Sequence, residues 1–291
     1  MLFGGIEAGG TKFVCAIGNE YGEIKHKISF PTTNPKETMD QVITFFKEYQ
    51  LDAIGIGSFG PIDLNVNSPS YGSITTTPKT TWKNYPLVQT VKNMFPIPIG
   101  FNTDVNAAAL GESIIGAAKG LDSCLYITIG TGIGAGAVVQ GNLLQGLTHP
   151  EMGHILVRRH PLDNYNGNCP YHHDCLEGLA AGPAIEERWG EKGSYLKDRH
   201  EVWEMEAYYI AQALMQYILI LSPKKIILGG GVMKQEQLIP LIHQYVKQLL
   251  NKYVSFKELS TEIDQYIVTP GLIDQSGIVG AMFLAKKALA V

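Results

Sequence analysis

A chain of 291 residues, 45% hydrophobic and 17% charged with a formal net charge of −4, has the composition of an ordinary soluble enzyme. That length supports a substantial core without disulfide staples and leaves room for two domains. Lys and Arg are scattered rather than clustered, which argues against a nucleic-acid partner.

The N-terminal MLFGGIEAGGTK has no charged leader and runs at once into glycines, so it does not read as a signal peptide. The longest apolar stretch, Tyr208 to Leu221, is interrupted by Gln212 and Gln216 and is too short for a bilayer. The expectation is a cytoplasmic protein with no membrane partner. Glycine is in excess: 32 of 291 residues, about 11% against a usual ~7%, concentrated at 4–10, 55–60, 130–136 and 229–231. Clustered glycine marks backbone that turns with positive φ or approaches another group closely.

In chain order, Leu2 to Ala8 reads as a strand, Gly9-Gly10-Thr11 as a turn, and Lys12 to Ile17 as a second strand. A third strand comes around Ile24 to Phe30, then a helix from Pro35 to Tyr49 with Met39, Val42, Ile43 and Phe46 on one face. Leu51 to Phe59 is a buried strand ending at Gly60-Pro61, and a Ser/Thr/Pro-rich passage fills 65–82. A helix near Leu87 to Phe95, a strand from Ile97 to Asn102 and an Ala-rich helix from Asp104 to Ala118 close this part. The pattern then restarts: strand Cys124 to Ile129, turn Gly130-Thr131-Gly132, strand Ile133 to Val139. This repeat, roughly 120 residues on, predicts two related α/β halves. Helices at 183–189, 203–221, 240–251 and 275–289 and a strand at Lys225 to Leu228 complete the second. Alternating helices and strands give an α/β class with mixed sheets.

Five motifs carry chemistry. Gly9-Gly10-Thr11-Lys12 offers backbone N–H groups, a hydroxyl and a charge to an anion, although a plain hairpin turn would need the same glycines. Gly130 to Gly136 matches the dinucleotide fingerprint formally, but that requires a helix directly after it, and 137–142 reads as strand and turn. A second phosphate-holding hairpin is the better reading. Gly229-Gly230-Gly231 comes straight after a strand, where open α/β sheets hold ligands. Asp104, within Asn102-Thr103-Asp104-Val105-Asn106, stands at a strand-to-helix junction. There it can accept a proton from a hydroxyl nucleophile, but local sequence favours a helix cap. Finally His154 precedes Cys169, His172 and Cys175, a donor set suited to a closed, structural zinc site, with His173 competing with His172. Cys15 and Cys124 lie in apolar strands and read as core. Glu151 and His154, three apart, can present a carboxylate and an imidazole to one pocket.

Together these motifs resemble the ROK family of bacterial sugar kinases and repressors, within the actin/hexokinase superfamily. The likeness rests on Glu7 to Lys12, Gly60-Pro61-Ile62-Asp63, Asn102 to Glu112, Gly130 to Gly136, Glu151-Met152-Gly153-His154, the Cys/His cluster with Leu176-Glu177-Gly178, and Leu228 to Val232. It implies a duplicated ribonuclease H-like (actin/hexokinase-type) two-domain α/β fold with mixed sheets and a zinc-bound loop, and an ATP cleft between the domains. Residues 1–117 with 276–291 would form the first domain and 118–275 the second. By the same resemblance Asp104 is the catalytic base, which overrides its local reading as a cap. Asn102, Asp104, Glu151 and His154 hold the sugar. Gly9, Gly10, Thr11, Lys12, Thr131 and Gly132 hold ATP phosphates, while Gly182, Pro183, Gly229, Gly230 and Gly231 form the adenosine pocket.

Two departures are informative. Glu7 stands where the family usually has Asp, leaving a longer carboxylate to face magnesium, and His172 replaces a cysteine of the glucokinase branch. With Thr11-Lys12-Phe13 these are similar to the fructokinase branch, which implies fructose 6-phosphate as product. A kinase for glucose, mannose or an N-acetylated amino sugar, and a non-catalytic sugar-binding regulator, are the alternatives. No room for a helix-turn-helix before Gly4 favours a kinase over a repressor. The resemblance further implies ATP, magnesium and structural zinc as cofactors and a homodimer.

Overall fold

The computed structural model describes residues 1–290. Among the described residues, ten strands and nine α-helices give the mixed α/β class that the sequence predicts. Strands Asn142–Leu143 and Ile267–Val268 and helices Leu176–Ala180 and Ile263–Tyr266 lie beyond the predicted elements. Strands Phe3–Ala8 (β1), Lys12–Gly18 (β2) and Ile24–Pro31 (β3) form an antiparallel meander. Helix Pro35–Phe46 (α1) opens with Asn34, whose side chain accepts from the Glu37 N–H at 3.0 Å. Strand Ala53–Ser58 (β4), helix Leu87–Met94 (α2), strand Ile99–Thr103 (β5) and helix Asp104–Ile114 (α3) come next.

The second series begins with Cys124–Ile129 (β6), Ile133–Val139 (β7) and Asn142–Leu143 (β8). Helices Leu176–Ala180 (α4), Gly182–Trp189 (α5) and His200–Leu221 (α6) lead to Ile226–Gly229 (β9). Helices Leu238–Leu250 (α7) and Ile263–Tyr266 (α8), strand Ile267–Val268 (β10) and helix Ser276–Leu289 (α9) end the chain.

The duplication read from sequence is a duplication of topology. One sheet has the order β3-β2-β1-β4-β5 and the other, read from its far edge, β8-β7-β6-β9-β10. Each is therefore a meander whose first strand also pairs in parallel with a later strand.

Contacts divide the chain into two compact units: residues 1–120, 136–150 and 271–291, and residues 121–135 and 151–270. Segment 136–150, which the sequence division assigns to 118–275, thus clusters with the first unit. Within that unit a Cβ at Gly136 would stand 2.2 Å from the Val105 carbonyl oxygen, so β7 lies directly on α3.

In the first unit, one apolar cluster joins Phe13, Phe30, Met39, Val42, Phe46, Trp82 and neighbouring residues. Another joins Phe3, Ala107, Leu110, Val279 and Phe283 of β1, α3 and α9. Burial of this apolar surface is the main drive to fold. Helix α3 stops at Ile114 rather than Ala118. The buried Glu112 carboxylate turns back to accept from the Ala117 N–H at 2.7 Å, and also from Gly271 and Leu272 N–H. Those bonds reward a turn there over further helix. Among the described residues no helix is long and apolar enough to cross a membrane.

Candidate active site and metal-binding loop

In the first unit, strand register defines a working edge. Ala8 pairs with Ser58 and Ser58 with Thr103, so β1, β4 and β5 end on one row. From that row the three strands run on into the Gly9–Lys12 turn, the Phe59–Ile62 turn and Asp104 respectively. The first turn closes with the Gly9 N–H donating to the Lys12 carbonyl at 3.0 Å. One row back, Glu7, Gly57 and Asn102 are register partners and share a face. Gly57 is needed there, because a Cβ would meet the Ala107 Cβ at 2.8 Å and the Asp104 Cα at 3.3 Å. Its bare backbone lets α3 bring Asp104 down to the edge.

Asp104 does not cap its helix. Thr103 does, accepting from the Asn106 N–H at 3.1 Å, which makes Asp104 the first helical residue. The β-branched Thr ends its strand and caps in one step, leaving the carboxylate to another task. One Asp104 oxygen accepts from the Val105 N–H at 2.8 Å, yet burial raises its pKa to about 6. Glu7 is pushed further, to about 7, by burial and then by the field of Asp104, against the pull of Lys12 and Lys27. Glu7, Lys12 and Asp104 are therefore electrostatically one group. Asn102 is buried, and its Oδ1 accepts from the Thr103 N–H and from Asn106 Nδ2 at 2.9 and 2.8 Å. This fixes the junction that carries Asp104. A pocket of about 500 Å³ in this unit lies between segments 64–71 and 145–147, with Phe101 in its wall; none of the predicted site residues lines it.

In the second unit, three glycine segments far apart in sequence converge. The Gly130 N–H donates to the Gly132 carbonyl at 2.9 Å, closing the turn, and the Gly182 N–H donates to the Gly130 carbonyl at 2.7 Å. A Cβ at Gly130 would have the Gly231 nitrogen at 3.8 Å. Thr131 and Gly132, Gly182 with Pro183, and Gly229 to Gly231 thus border one place. The three final glycines differ in their surroundings. Gly229 ends β9 against the Tyr126 hydroxyl; Gly230 has φ +94° and is wedged on Ile129; only Gly231 has open space beside it.

Next to that turn lies the Cys/His cluster. His154, Cys169, His172 and Cys175 present donor atoms all within 4.8 Å of one another. Cys169 Sγ is 3.7 Å from both His154 Nδ1 and His172 Nδ1, and Cys175 Sγ is 3.5 Å from His154 Nδ1. A tetrahedral zinc with usual bond lengths spaces sulfur and nitrogen about 3.6 Å apart, so the residues fit that ion. His173 is the turn residue instead: its φ is +55°, and it exchanges both backbone hydrogen bonds with Cys169. Burial pushes the Cys175 thiol up to about 11, a cost that a bound cation offsets. Cys15 and Cys124 are fully buried core residues.

Glu177 is the residue that sequence reasoning left without a role. It accepts from the Ile133 N–H at 2.9 Å, lies against Gly132, and stands 4.0 Å from His154 Nε2. One carboxylate thus spans the glycine turn and an imidazole of the Cys/His cluster. Its place inside Leu176-Glu177-Gly178, directly after Cys175, was the available signal. Glu151 immediately precedes the short turn Met152–His154, and its carbonyl accepts from the His154 N–H at 3.1 Å.

The chain and its fold are similar to known proteins. The chain is 64% identical to a Bacillus subtilis (strain 168) protein named "Putative fructokinase", covering 99% of this chain and 96% of that one. It is 50% identical to a fructokinase of Pediococcus pentosaceus, covering 99% of each. The fold superposes on a ROK hexokinase from Thermus thermophilus with TM-score 0.81 at 24% identity, covering 100% of this chain and 99% of that one. It also superposes on a ROK family glucokinase from Streptomyces griseus, solved with glucose and AMPPNP. That match has TM-score 0.79 at 23% identity and covers 99% of this chain and 100% of the other. Residues 3–288 match the ROK family, and the chain belongs to it.

Proposed function

We propose that this protein is an ATP-dependent hexose kinase whose preferred acceptor is fructose, yielding fructose 6-phosphate. The observation that carries the reading is the placement of Asp104, a carboxylate held with a raised pKa on the same strand-end row as the Gly9–Lys12 turn. Fructose as acceptor draws on the relatives named fructokinase.

In the proposed reaction a sugar hydroxyl oxygen attacks the γ-phosphorus in line. The bond to the β-bridging oxygen breaks, ADP leaves, and Asp104 receives the hydroxyl proton. A base with pKa near 6 is ionised at neutral pH and still basic enough to take that proton. Asn102, Glu151 and His154 are assigned to the sugar, and Lys12, Thr11 and the glycine turns to the phosphates. Gly182, Pro183 and Gly231 are assigned to the adenosine. Glu7 is the group that would face magnesium, since a cation compensates a buried carboxyl already pressed by Asp104. Magnesium, when bound with ATP, neutralises charge on the transferring group. His154, Cys169, His172 and Cys175 would hold a structural zinc with no open position. A cytoplasmic homodimer completes the reading, on family likeness alone.

The test is ADP release from ATP with a panel of hexoses. Fructose is expected to give the highest kcat/KM. Preference for glucose, mannose or an N-acetylated amino sugar would replace the substrate, and turnover with none would leave a sugar-binding regulator.

A further inference from the structure

We propose that His149 is a positioning residue for the sugar: its imidazole bolts the segment leading into Glu151 onto the strand edge that carries Asp104. The ring is 4% exposed, and its Nε2 accepts from the Ile62 N–H at 3.1 Å, across a sequence separation of 87 residues. It also lies along the Gly60 backbone, where a Cβ would have His149 Cε1 at 3.5 Å. A second bond joins the same two segments, from Gln145 Nε2 to the Leu64 carbonyl at 3.5 Å.

The turn that His149 grips is itself fixed. The Phe59 N–H donates to the Ala8 carbonyl at 2.7 Å, and the Thr75 N–H to the Pro61 carbonyl at 2.8 Å. Because Ser58 pairs with Thr103, this turn leaves the sheet on the row from which Asp104 continues. His149 precedes Glu151 by two residues. A ring acceptor at this point therefore fixes the end of segment 136–150, within the first unit, on the edge from which Asp104 continues. Losing it would leave the Ile62 N–H without that partner and free the segment to drift, and displacement on the ångström scale is costly at a reacting site.

The inference rests on the sugar-kinase reading, and the test separates the two. Steady-state kinetics and thermal unfolding are measured on the full chain for wild type, His149→Phe and His149→Gln. His149→Phe keeps a flat ring but no acceptor, whereas the Gln amide oxygen can take over the role of Nε2. The expected result is a fructose KM raised on the order of tenfold in His149→Phe, with ATP KM unchanged and kcat within about threefold. His149→Gln returns the fructose KM to within about threefold of wild type. Should His149→Phe not fold, His149→Ala is read in its place. An unchanged fructose KM overturns the inference. So does a joint loss of kcat, both KM values and melting temperature that Gln does not rescue, since that marks a histidine serving only the core. A wild type that phosphorylates no hexose ends the functional reading instead.

Discussion

The Gly9–Lys12 and Gly130–Gly132 turns each connect the first two strands of a five-stranded sheet of the same order, yet their surroundings differ. Behind the first stand carboxylates: Glu7 at the end of β1 and Asp104 beyond β5, each holding its proton more tightly than a free carboxyl does. Around the second stand other glycines, 182 and 231, and one carboxylate, Glu177, that holds the Ile133 N–H. Duplication supplied the same backbone device twice; what packs behind each copy sets its chemistry. On the proposed reading the first serves proton and metal work, and the second the nucleotide.

The sharpest way to break this contrast is to remove the carboxylate proposed as the base. Asp104→Asn is expected to lower kcat with fructose by about 10²–10⁴-fold while ATP binding, followed by calorimetry, persists. The second turn is expected to depend on metal. Metal analysis of purified protein is expected to find about one zinc per chain, and Cys175→Ala to hold none. Since structural zinc contributes on the order of 10 kcal/mol, residues 150–180 then become open to protease. Zinc-free protein with that segment still protected would contradict the assignment.

A smaller perturbation tests Glu177. In Gly132→Ala the new methyl would stand 2.7 Å from Glu177 Oε2, forcing the carboxylate off the Ile133 N–H. The ATP KM is expected to rise on the order of tenfold with the fructose KM near wild type. The mildest effect concerns stability. Glu206 on α6 is buried, its Oε1 has no hydrogen-bond partner, and burial raises its pKa well above 4.5 despite Arg188. The folded state therefore holds a proton that the unfolded chain releases, and stability falls as pH rises above about 4.5. Glu206→Gln removes that dependence. Its melting temperature is expected to gain on wild type with rising pH, by up to about 1.4 kcal/mol per pH unit in free-energy terms. A gap that stays constant with pH would count against a protonated Glu206.

Local pattern made much of this legible. The spans Cys124–Ile129 and Ile133–Val139 could be read to the residue, because glycines bound apolar runs of strand length. Topological duplication could be inferred from two such matching runs. Hidden were features decided by distant partners. Strands β8 and β10, two residues each, exist only because β7 and β9 offer an edge. The choice of His172 over His173 depends on a tight turn that consumes His173's backbone. Thr103 caps α3 in place of Asp104, although either residue type caps well, and His149 meets a turn 87 residues away. Spacing could nominate the cluster, the junction and the motif, but not which member does which work.

The central claim is that Asp104 accepts the sugar's proton from a setting that raises its pKa. The most direct measurement is kcat for fructose phosphorylation from pH 5 to 8 at saturating magnesium-ATP, in wild type and Asp104→Asn. The account predicts a wild-type rate that falls as pH drops through about 6, and a low Asp104→Asn rate without that limb. An unchanged limb in the variant, or near wild-type turnover, would contradict it.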